Sequence, residues 1–573
     1  MGELWGGKVL PSYIAVQVQQ ALLDALRGAA EAARAAGQLD FAEIPSFVLE
    51  KPREASHGDL ASNLALVLAR PARKSPRQIA ELLLKQLDCT GLPLQRVEIA
   101  GAGFINLYLD PAWVRAVPAE VLAARAEYGR VDLGEQQRLQ VEFVSANPTG
   151  LLHVGHARGA ALGDSLANLL QAAGYQVSRE FYINDAGSQI EKLGESLEAR
   201  YLSSLGRSTP VPPDGYHGED LVGTVQRFID RESDRWLNAE PEERRQALVA
   251  FTLQEKMEAI RTTLERFGVR FDVWFSEQQL HQRGEVRRVV AQLEARDCLY
   301  PREGALWFRA PGGAEDQEKD EVIIRSSGVP TYFAADIAYH IDKFRRGFDR
   351  IINIWGADHH GHVPRLKAAL QALGYEPEKL EVILAQMVRL FRGGEQVRMS
   401  KRTGQYVTLE ELLEEVGNDA ARYFFVMRSP ESHLDFDLDL AKSQSNENPV
   451  YYVQYAHARI CSIRRQAREQ GIELPRVEDC RLELLEDPAE LALLKKVAEL
   501  PLELAAAARS REPHRLAHYV YELASLFHTY YNACRVLVED VPLRDARLIL
   551  VLTVQVAVRN VLGILGVSAP ERM

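Results

Sequence analysis

Residues 139–183 read LQVEFVSANPTGLLHVGHARGAALGDSLANLLQAAGYQVSREFYI, and this stretch decides the fold of the chain. An apolar run at Leu139–Val144 precedes a loop of helix-breaking residues, and alanines and leucines then recur at helical spacing up to about Gly174. A strand-like segment follows at Tyr175–Ile183. The pattern predicts a strand–helix–strand unit, in which the N-terminus of the helix lies at the carboxyl edge of a parallel sheet.

Two histidines, His153 and His156, stand at the predicted start of that helix, with Gly155 between them. A helix N-terminus offers unpaired N–H groups and the positive end of the helix dipole, which suits a triphosphate. Two imidazoles at this spacing can reach one phosphate, and the glycine lets a flat adenine approach the backbone. By spacing alone, however, such a pair is as often a surface or helix-capping pair as a catalytic one.

A second candidate is the cationic loop RMSKR at residues 398–402, which lies between Gly393-Gly394 and Gly404. A loop with this charge and these glycines can close over a pyrophosphate and neutralise it. The alternative interpretation is a solvated basic turn.

Together the two stretches resemble the nucleotide motifs of class I aminoacyl-tRNA synthetases, with residues 153–156 as the first and residues 398–401 as the second. Arg398 stands where that second motif usually has lysine, so the positive charge is kept although the detailed contact differs. The resemblance implies an ATP site made of His153, Gly155, His156, Met399, Ser400 and Lys401. It also implies that the catalytic groups are His153, His156, Lys401 and Arg398.

Within that class the chain resembles arginyl-tRNA synthetases over nearly its whole length. The segments that carry this resemblance are HGDLASN at 57–63, VEFVSANPTG at 141–150, WGADHHGH at 355–362 and NPVYYVQYAHAR at 448–459. The family activity would be ATP-dependent ligation of L-arginine to its cognate tRNA through an arginyl-adenylate, with release of AMP and pyrophosphate. The alternatives are another class I synthetase or a small-molecule nucleotidyltransferase of the same fold, although the latter are usually much shorter.

The resemblance also maps an amino-acid pocket onto this sequence. A guanidinium is planar and permanently charged, and it is best recognised by carboxylates that accept parallel hydrogen bonds. We therefore expect Asp336 and Tyr332 to hold the guanidinium, Asn147 to hold the α-amino group, and Glu142 to serve either. His359 occupies a further pocket position that is often glutamine in the family.

The tRNA contacts implied by the resemblance fall at both ends of the chain. Phe104 and Asn106 match residues that touch the tRNA elbow, and Tyr455, Tyr531 and Met573 match residues that touch the anticodon loop. The sequence also allows the alternative that Phe104 and both tyrosines pack in protein cores.

The predicted fold is α/β, with a Rossmann-like parallel-sheet catalytic domain at about 131–430. A helical insertion is expected at about 191–273. The catalytic domain is preceded by an N-terminal α/β domain at 1–130, which is expected to contact the tRNA elbow. This domain has helix-like stretches at Val16–Ala36 and Ala61–Leu68. The last region, 431–573, is expected to be an all-helical anticodon-binding bundle, because long apolar-faced stretches such as 488–507 recur there.

Composition is that of an ordinary globular protein, with 46% hydrophobic and 26% charged residues among 573. A net charge of −12 argues against indiscriminate nucleic-acid binding, and we expect no DNA partner. The chain starts without a basic region followed by an apolar core and has no apolar run of about 18 residues, so we expect a cytoplasmic protein with no membrane partner. The scattered cysteines and the adjacent histidines at 359, 360 and 362 are poor metal chelators. We therefore expect Mg²⁺ with ATP but no structural metal.

Overall fold

The computed structural model describes residues 13–52, 54–310, 320–397 and 407–573. Its strands are, in chain order, β1 (Leu49–Glu50), β2 (Leu60–Ser62), β3 (Leu94–Ala100), β4 (Phe104–Leu109), β5 (Arg138–Glu142), β6 (Gln176–Ile183), β7 (Val273–Ser276), β8 (Leu299–Arg302), β9 (Ala305–Phe308), β10 (Glu321–Ile324), β11 (Arg350–Gly356), β12 (Leu380–Ala385), β13 (Val388–Arg392), β14 (Glu395–Val397) and β15 (Leu434–Asp437).

Its α-helices are, in chain order, α1 (Ile14–Ala35), α2 (Leu64–Ala72), α3 (Pro76–Gln86), α4 (Ala112–Arg115), α5 (Val117–Ala124), α6 (Val154–Ala172), α7 (Ser188–Ser204), α8 (Asp220–Glu232), α9 (Pro241–Arg266), α10 (Glu277–Gln282), α11 (Glu285–Glu294), α12 (Tyr332–Arg345), α13 (His362–Ala372), α14 (Leu409–Val416), α15 (Asn418–Val426), α16 (Leu438–Lys442), α17 (Pro449–Glu469), α18 (Pro488–Ala498), α19 (Leu500–Ser510), α20 (His514–Ala533) and α21 (Val541–Leu565).

A five-stranded parallel sheet forms the centre of the molecule, with the order β12-β11-β5-β6-β7. Strand β5 lies in the middle, and the chain winds first to one side of it and later to the other. In such sheets the reversal opens a crevice at the carboxyl ends of the strands, next to the first strand. The predicted parallel-sheet α/β architecture is confirmed.

Helix α6 packs closely on the sheet because the residue at the contact is a glycine, which has no side chain to hold the two apart. A Cβ atom added to Gly163 would lie 2.1 Å from Cγ of Phe143, the residue after β5. Buried leucines, among them Leu166 and Leu169, fill the rest of this face. The close approach fixes the N-terminus of α6 relative to the carboxyl edge of β5.

The N-terminal region is an antiparallel sheet of order β1-β2-β4-β3, with helices α1, α2 and α3 against it and a core of its own. The helix expected at Ala61–Leu68 is wrong at its start, because residues 60–62 pair with β4 as strand β2. The helix begins only at Leu64, after Asn63, whose side-chain oxygen accepts a hydrogen bond from the Val48 N–H.

The helical insertion consists of α7, α8 and α9, which enclose a small separate core. The last part of the chain is helical from α17 to α21, as predicted, but the region expected to be all-helical from residue 431 begins with strand β15, which pairs with β13. By length and composition alone, α21 is apolar enough to cross a membrane, which the expectation of no sufficiently long apolar run did not foresee. Within the described residues, however, 72% of its apolar window is buried, because the other helices of the bundle pack around it.

The helical bundle and the parallel-sheet domain share one continuous core. A buried arginine, Arg422, ties them together by donating hydrogen bonds to the backbone oxygens of Leu565 and Phe267, each at 3.1 Å, and to Oδ2 of Asp164 at 2.5 Å. Gly566 ends α21 at φ +68°, and a Cβ there would lie 2.0 Å from this guanidinium. The two regions are therefore joined by a shared buried core and not by contact between two separately folded surfaces.

Candidate active site

The loop after β5 is strained where it leaves the sheet. Val144 and Ser145 have φ values of +68° and +42°, a conformation that a β-branched residue rarely adopts. Ser145 Oγ donates to Oε1 of Glu142 at 2.9 Å and accepts the N–H of Tyr182 at 3.1 Å. These bonds hold the strained turn at the carboxyl ends of β5 and β6.

The loop ends at His153, which caps α6. Nδ1 of His153 accepts the N–H of Gly155 at 3.1 Å, and Nδ1 of His156 accepts the N–H of His153 at 3.3 Å. The two rings lie 3.8 Å apart, and a Cβ at Gly155 would lie 3.0 Å from the His153 ring. The capping interpretation thus holds for Nδ1 of both rings.

The second nucleotide motif lies outside the described residues, and with it Arg398, Met399, Ser400 and Lys401. The chain that follows it is placed beside the histidines. Val154 donates its N–H to the oxygen of Val407 at 3.4 Å, and Leu409 donates to the oxygen of Leu152 at 2.8 Å.

Asp336 is held by two histidines, at one helical turn beyond the start of α12. Its Oδ2 lies 2.5 Å from Nε2 of His362, and its Oδ1 lies 3.1 Å from Nδ1 of His340. Burial alone would raise the pKa of Asp336, but the two histidines outweigh it and hold that pKa far below its usual range. Asp336 is therefore a carboxylate whenever the protein is folded near neutral pH.

Tyr332 and Asn147 meet the start of α7 from two sides. Tyr332 is 44% exposed, and its hydroxyl lies 3.4 Å from Oγ of Ser188. The amide nitrogen of Asn147 donates to Oε1 of Gln189 at 3.0 Å. The structure thus brings the loop after β5, the start of α7 and the start of α12 together.

Glu142 faces the interior, and only 5% of its side chain is exposed. Its Oε2 accepts from Nζ of Lys343 at 2.5 Å, and that lysine is fully buried. The charge of Glu142 is therefore balanced inside the protein.

His359 is more than half exposed, and its ring lies 5.9 Å from Trp355. His362, in contrast, turns inward to Asp336, so the adjacent histidines do not converge. Over residues 13–52, 54–310, 320–397 and 407–573, no group of three or more His, Cys, Asp or Glu side chains is arranged to hold a metal ion.

Glu277 is a further acid at this edge, which the sequence analysis missed. It follows β7 directly, is 3% exposed, and lies 3.3 Å from Nε2 of His281. Burial raises the pKa of its carboxyl, and hydrogen bonds from Tyr182 and His281 offset only part of the rise. Burial also raises the pKa of Tyr182, and the nearby Glu277 and Asp336 raise it further. The signal for Glu277 was its position directly after β7, at the carboxyl end of a strand of the parallel sheet.

The predicted elbow-contacting residues lie on β4. Asn106 is 3% exposed and pairs with Ala61 and Glu98 on the neighbouring strands, while Phe104 is half-buried at the end of β4. Phe104 is thus the more accessible of the two.

The three predicted anticodon residues lie on the helical bundle. Tyr455 and Tyr531 flank Arg459, whose guanidinium carbon is 4.5 Å from one ring centroid and 4.4 Å from the other. Met573, half exposed, lines a cavity of about 610 Å³ together with Tyr451 and Gln454. The structure therefore joins the two tyrosines in one partly exposed cluster, with Arg459 as its cation.

The parallel-sheet domain is that of a class I aminoacyl-tRNA synthetase, because residues 118–427 match the family described as tRNA synthetases class I (R), catalytic domain. Residues 14–109 match the arginyl tRNA synthetase N terminal domain, and residues 453–573 match the DALR anticodon binding domain. The chain belongs to the arginyl-tRNA synthetase family.

Relatives match over nearly the full length. An arginine–tRNA ligase of Moorella thermoacetica is 60% identical over 560 residues, which cover 98% of this chain and 100% of that protein. One from Desulforudis audaxviator is 59% identical over 566 residues, with 98% and 100% coverage. The structure of Thermus thermophilus arginyl-tRNA synthetase superposes with a TM-score of 0.73 at 25% identity, covering 97% of this chain and 100% of that one.

Proposed function

We propose that the chain ligates L-arginine to its cognate tRNA, with ATP and Mg²⁺, through an arginyl-adenylate. An oxygen of the arginine carboxylate attacks the α-phosphorus of ATP, and the bond to the departing pyrophosphate breaks. A hydroxyl of the terminal adenosine of the tRNA then attacks the activated carbonyl, and AMP leaves. Neither step needs a covalent bond to the protein, so catalysis rests on positioning and charge.

The observation that carries this proposal is the pair of acids, Asp336 and Glu277, at the same sheet edge as the histidine-capped helix. A guanidinium placed between two carboxylates neutralises their negative charge, and it stays protonated itself. It would also favour ionisation of Glu277, which burial now opposes. Tyr332 would complete the guanidinium site, with Asn147 at the α-amino group and Glu142 and His359 at the margins.

In the proposed reaction, His153 and His156 face the phosphates, and Lys401 and Arg398 neutralise the departing pyrophosphate. Gly155, Met399 and Ser400 would complete the ATP site. Phe104 and Asn106 would contact the tRNA elbow from a domain at 1–130, and Tyr455, Tyr531 and Met573 the anticodon loop from a domain at 431–573. We infer that the protein works in the cytoplasm with tRNA, arginine and ATP, and with neither DNA nor a membrane.

Aminoacylation of total tRNA with each labelled amino acid in turn tests the function. We expect the label to enter tRNA with arginine alone, because only its side chain carries a planar cation that matches two acids. Charging with a different amino acid would show another class I synthetase. Activation of a small molecule without any charging of tRNA would show a nucleotidyltransferase.

Tyr455→Ala tests the anticodon cluster. An aromatic platform contributes about 1–3 kcal/mol per stacked base, so we expect a roughly 5- to 150-fold loss of tRNA affinity with little change in melting temperature. Tyr455→Phe, which keeps the ring, should bind tRNA almost normally. The matched control is Tyr519→Ala in the same bundle, where the buried ring should cost about 3–5 kcal/mol of stability. A Tyr455→Ala enzyme that is unstable but binds tRNA normally would assign this tyrosine to packing.

A further inference from the structure

Helix α12 carries a line of polar residues on its inner side, although that side packs against the central sheet and is otherwise largely apolar. Asp336, His340 and Lys343 follow one another at helical spacing on this face, and the side chains of His340 and Lys343 are fully buried. Taking a lysine out of water costs free energy unless it is paired and hydrogen-bonded. The partners of this lysine therefore show what the buried charge is for.

Lys343 has two partners on two strands. Its Nζ donates to Oε2 of Glu142 on β5 at 2.5 Å and to Oδ1 of Asn353 on β11 at 3.0 Å. Asn353 is itself fully buried, and its Nδ2 lies 2.7 Å from Nε2 of His340. Nδ1 of His340 in turn lies 2.8 Å from the backbone oxygen of Asp336 and 3.1 Å from its Oδ1. A continuous buried chain of hydrogen bonds thus joins Glu142 to Asp336, the acid proposed to hold the guanidinium.

The chemistry of the groups gives this chain a direction. An ammonium only donates, so the oxygen of Asn353 faces Lys343 and the amide N–H faces His340. Nε2 of His340 must then accept, which leaves the proton of the neutral ring on Nδ1. That proton points at two acceptors, both of them on Asp336. Donors therefore run from Lys343 through Asn353 and His340 to Asp336.

We propose that Lys343 is a positioning residue for arginine, because its charge sets the amide orientation of Asn353, the tautomer of His340 and thereby the orientation of the Asp336 carboxylate. This inference rests on the proposed role of Asp336 as the guanidinium ligand. The same ammonium neutralises Glu142, so that Asp336 and Glu277 are left to face the substrate cation. Stability alone does not account for the lysine, since apolar replacements of buried ion pairs are often neutral or stabilising.

Asn353→Asp removes the donor in the middle of this hydrogen-bond chain with almost no change in side-chain shape. A carboxylate cannot donate to Nε2 of His340, so the ring must carry a proton there, and the single neutral Nδ1–H tautomer gives way to the other tautomer or to the imidazolium. We expect the KM for arginine to rise by about 10- to 100-fold, the usual effect of losing a partner that orients a ligand, while kcat and the KM for ATP stay within about twofold. Lys343→Met should act in the same direction.

The matched control is Lys256→Met, since Lys256 is also buried and also paired, with Asp220 of the helical insertion. It should leave the KM for arginine unchanged, even where it lowers stability. A neutron diffraction structure of the unaltered protein gives a readout that does not depend on any variant folding. It should show hydrogen on Nδ1 of His340 and none on Nε2.

Hydrogen on Nε2 of His340 would overturn the proposal, and so would equal losses for arginine and ATP in Asn353→Asp. If Asn353→Asp and Lys343→Met both keep a normal KM for arginine while Asp336→Asn raises it, the positioning role is wrong and the proposed function stands. If Asp336→Asn also has no effect, the guanidinium site itself is wrong.

Discussion

His156→Ala should lower the kcat of arginyl-adenylate formation by about 10²–10³-fold while changing the KM for ATP little. The charge that this histidine would stabilise develops on the phosphates only during the reaction, so its loss affects the transition state more than the bound substrate. Single-turnover formation of the adenylate in the presence of tRNA measures the step directly.

The alanine variant also removes a helix cap, because Nδ1 of His156 accepts the N–H of His153. Loss of a cap costs about 0.5–2 kcal/mol. His156→Asn separates the two effects, since its side-chain oxygen can replace Nδ1 but nothing replaces Nε2. We expect this variant to recover stability and to remain slow. An asparagine variant with a normal rate would limit His156 to capping.

Asp336→Asn should weaken arginine binding by about 2–5 kcal/mol, which is roughly 30-fold to several thousand-fold. The substitution keeps the shape and removes the charge opposite the guanidinium. ATP binding should be largely spared. Calorimetric titration with each substrate in turn gives both affinities on the same preparation.

Asp342→Asn is the control for that variant, because Asp342 lies on the same helix but pairs with Arg346 at 2.9 Å. It should bind arginine as tightly as the unaltered protein does. Equal losses of arginine and ATP affinity in Asp336→Asn would indicate general misfolding instead of a lost guanidinium contact.

The sequence predicted the β5–α6–β6 unit well, because hydrophobic periodicity and breaker residues act locally. It failed where a short element interrupts a longer pattern. The helical stretch expected at 488–507 is two helices that meet at residues 499–500, since Pro501 starts the second one. Residues 60–62 form an inner strand of the N-terminal sheet rather than the start of a helix, because β1 and the more distant β4 pair with them.

The candidate site was predictable only as far as motifs reach. The strand-end residues Glu142 and Asn147 and the histidines of α6 were found in one contiguous stretch. The role of Lys343 and the contact of His362 with Asp336 were not found, since both depend on residues remote in sequence. Glu277 was also missed, because its burial at the sheet edge comes from the tertiary fold. Buried polar pairs of this kind produce no periodic pattern in the local sequence, so pattern analysis cannot detect them.

The junction around Arg422 bears on how such proteins gain and lose parts. The N-terminal region and the helical insertion each enclose an apolar cluster of their own, and only their ends, such as Val117 and Leu264, also reach the main core. The C-terminal helices are different, because cutting the chain near residue 430 would divide a single core. It would also separate the buried guanidinium of Arg422 from hydrogen-bond acceptors in the other part. Recombination that exchanges this bundle must therefore also carry over the matching face of the sheet domain.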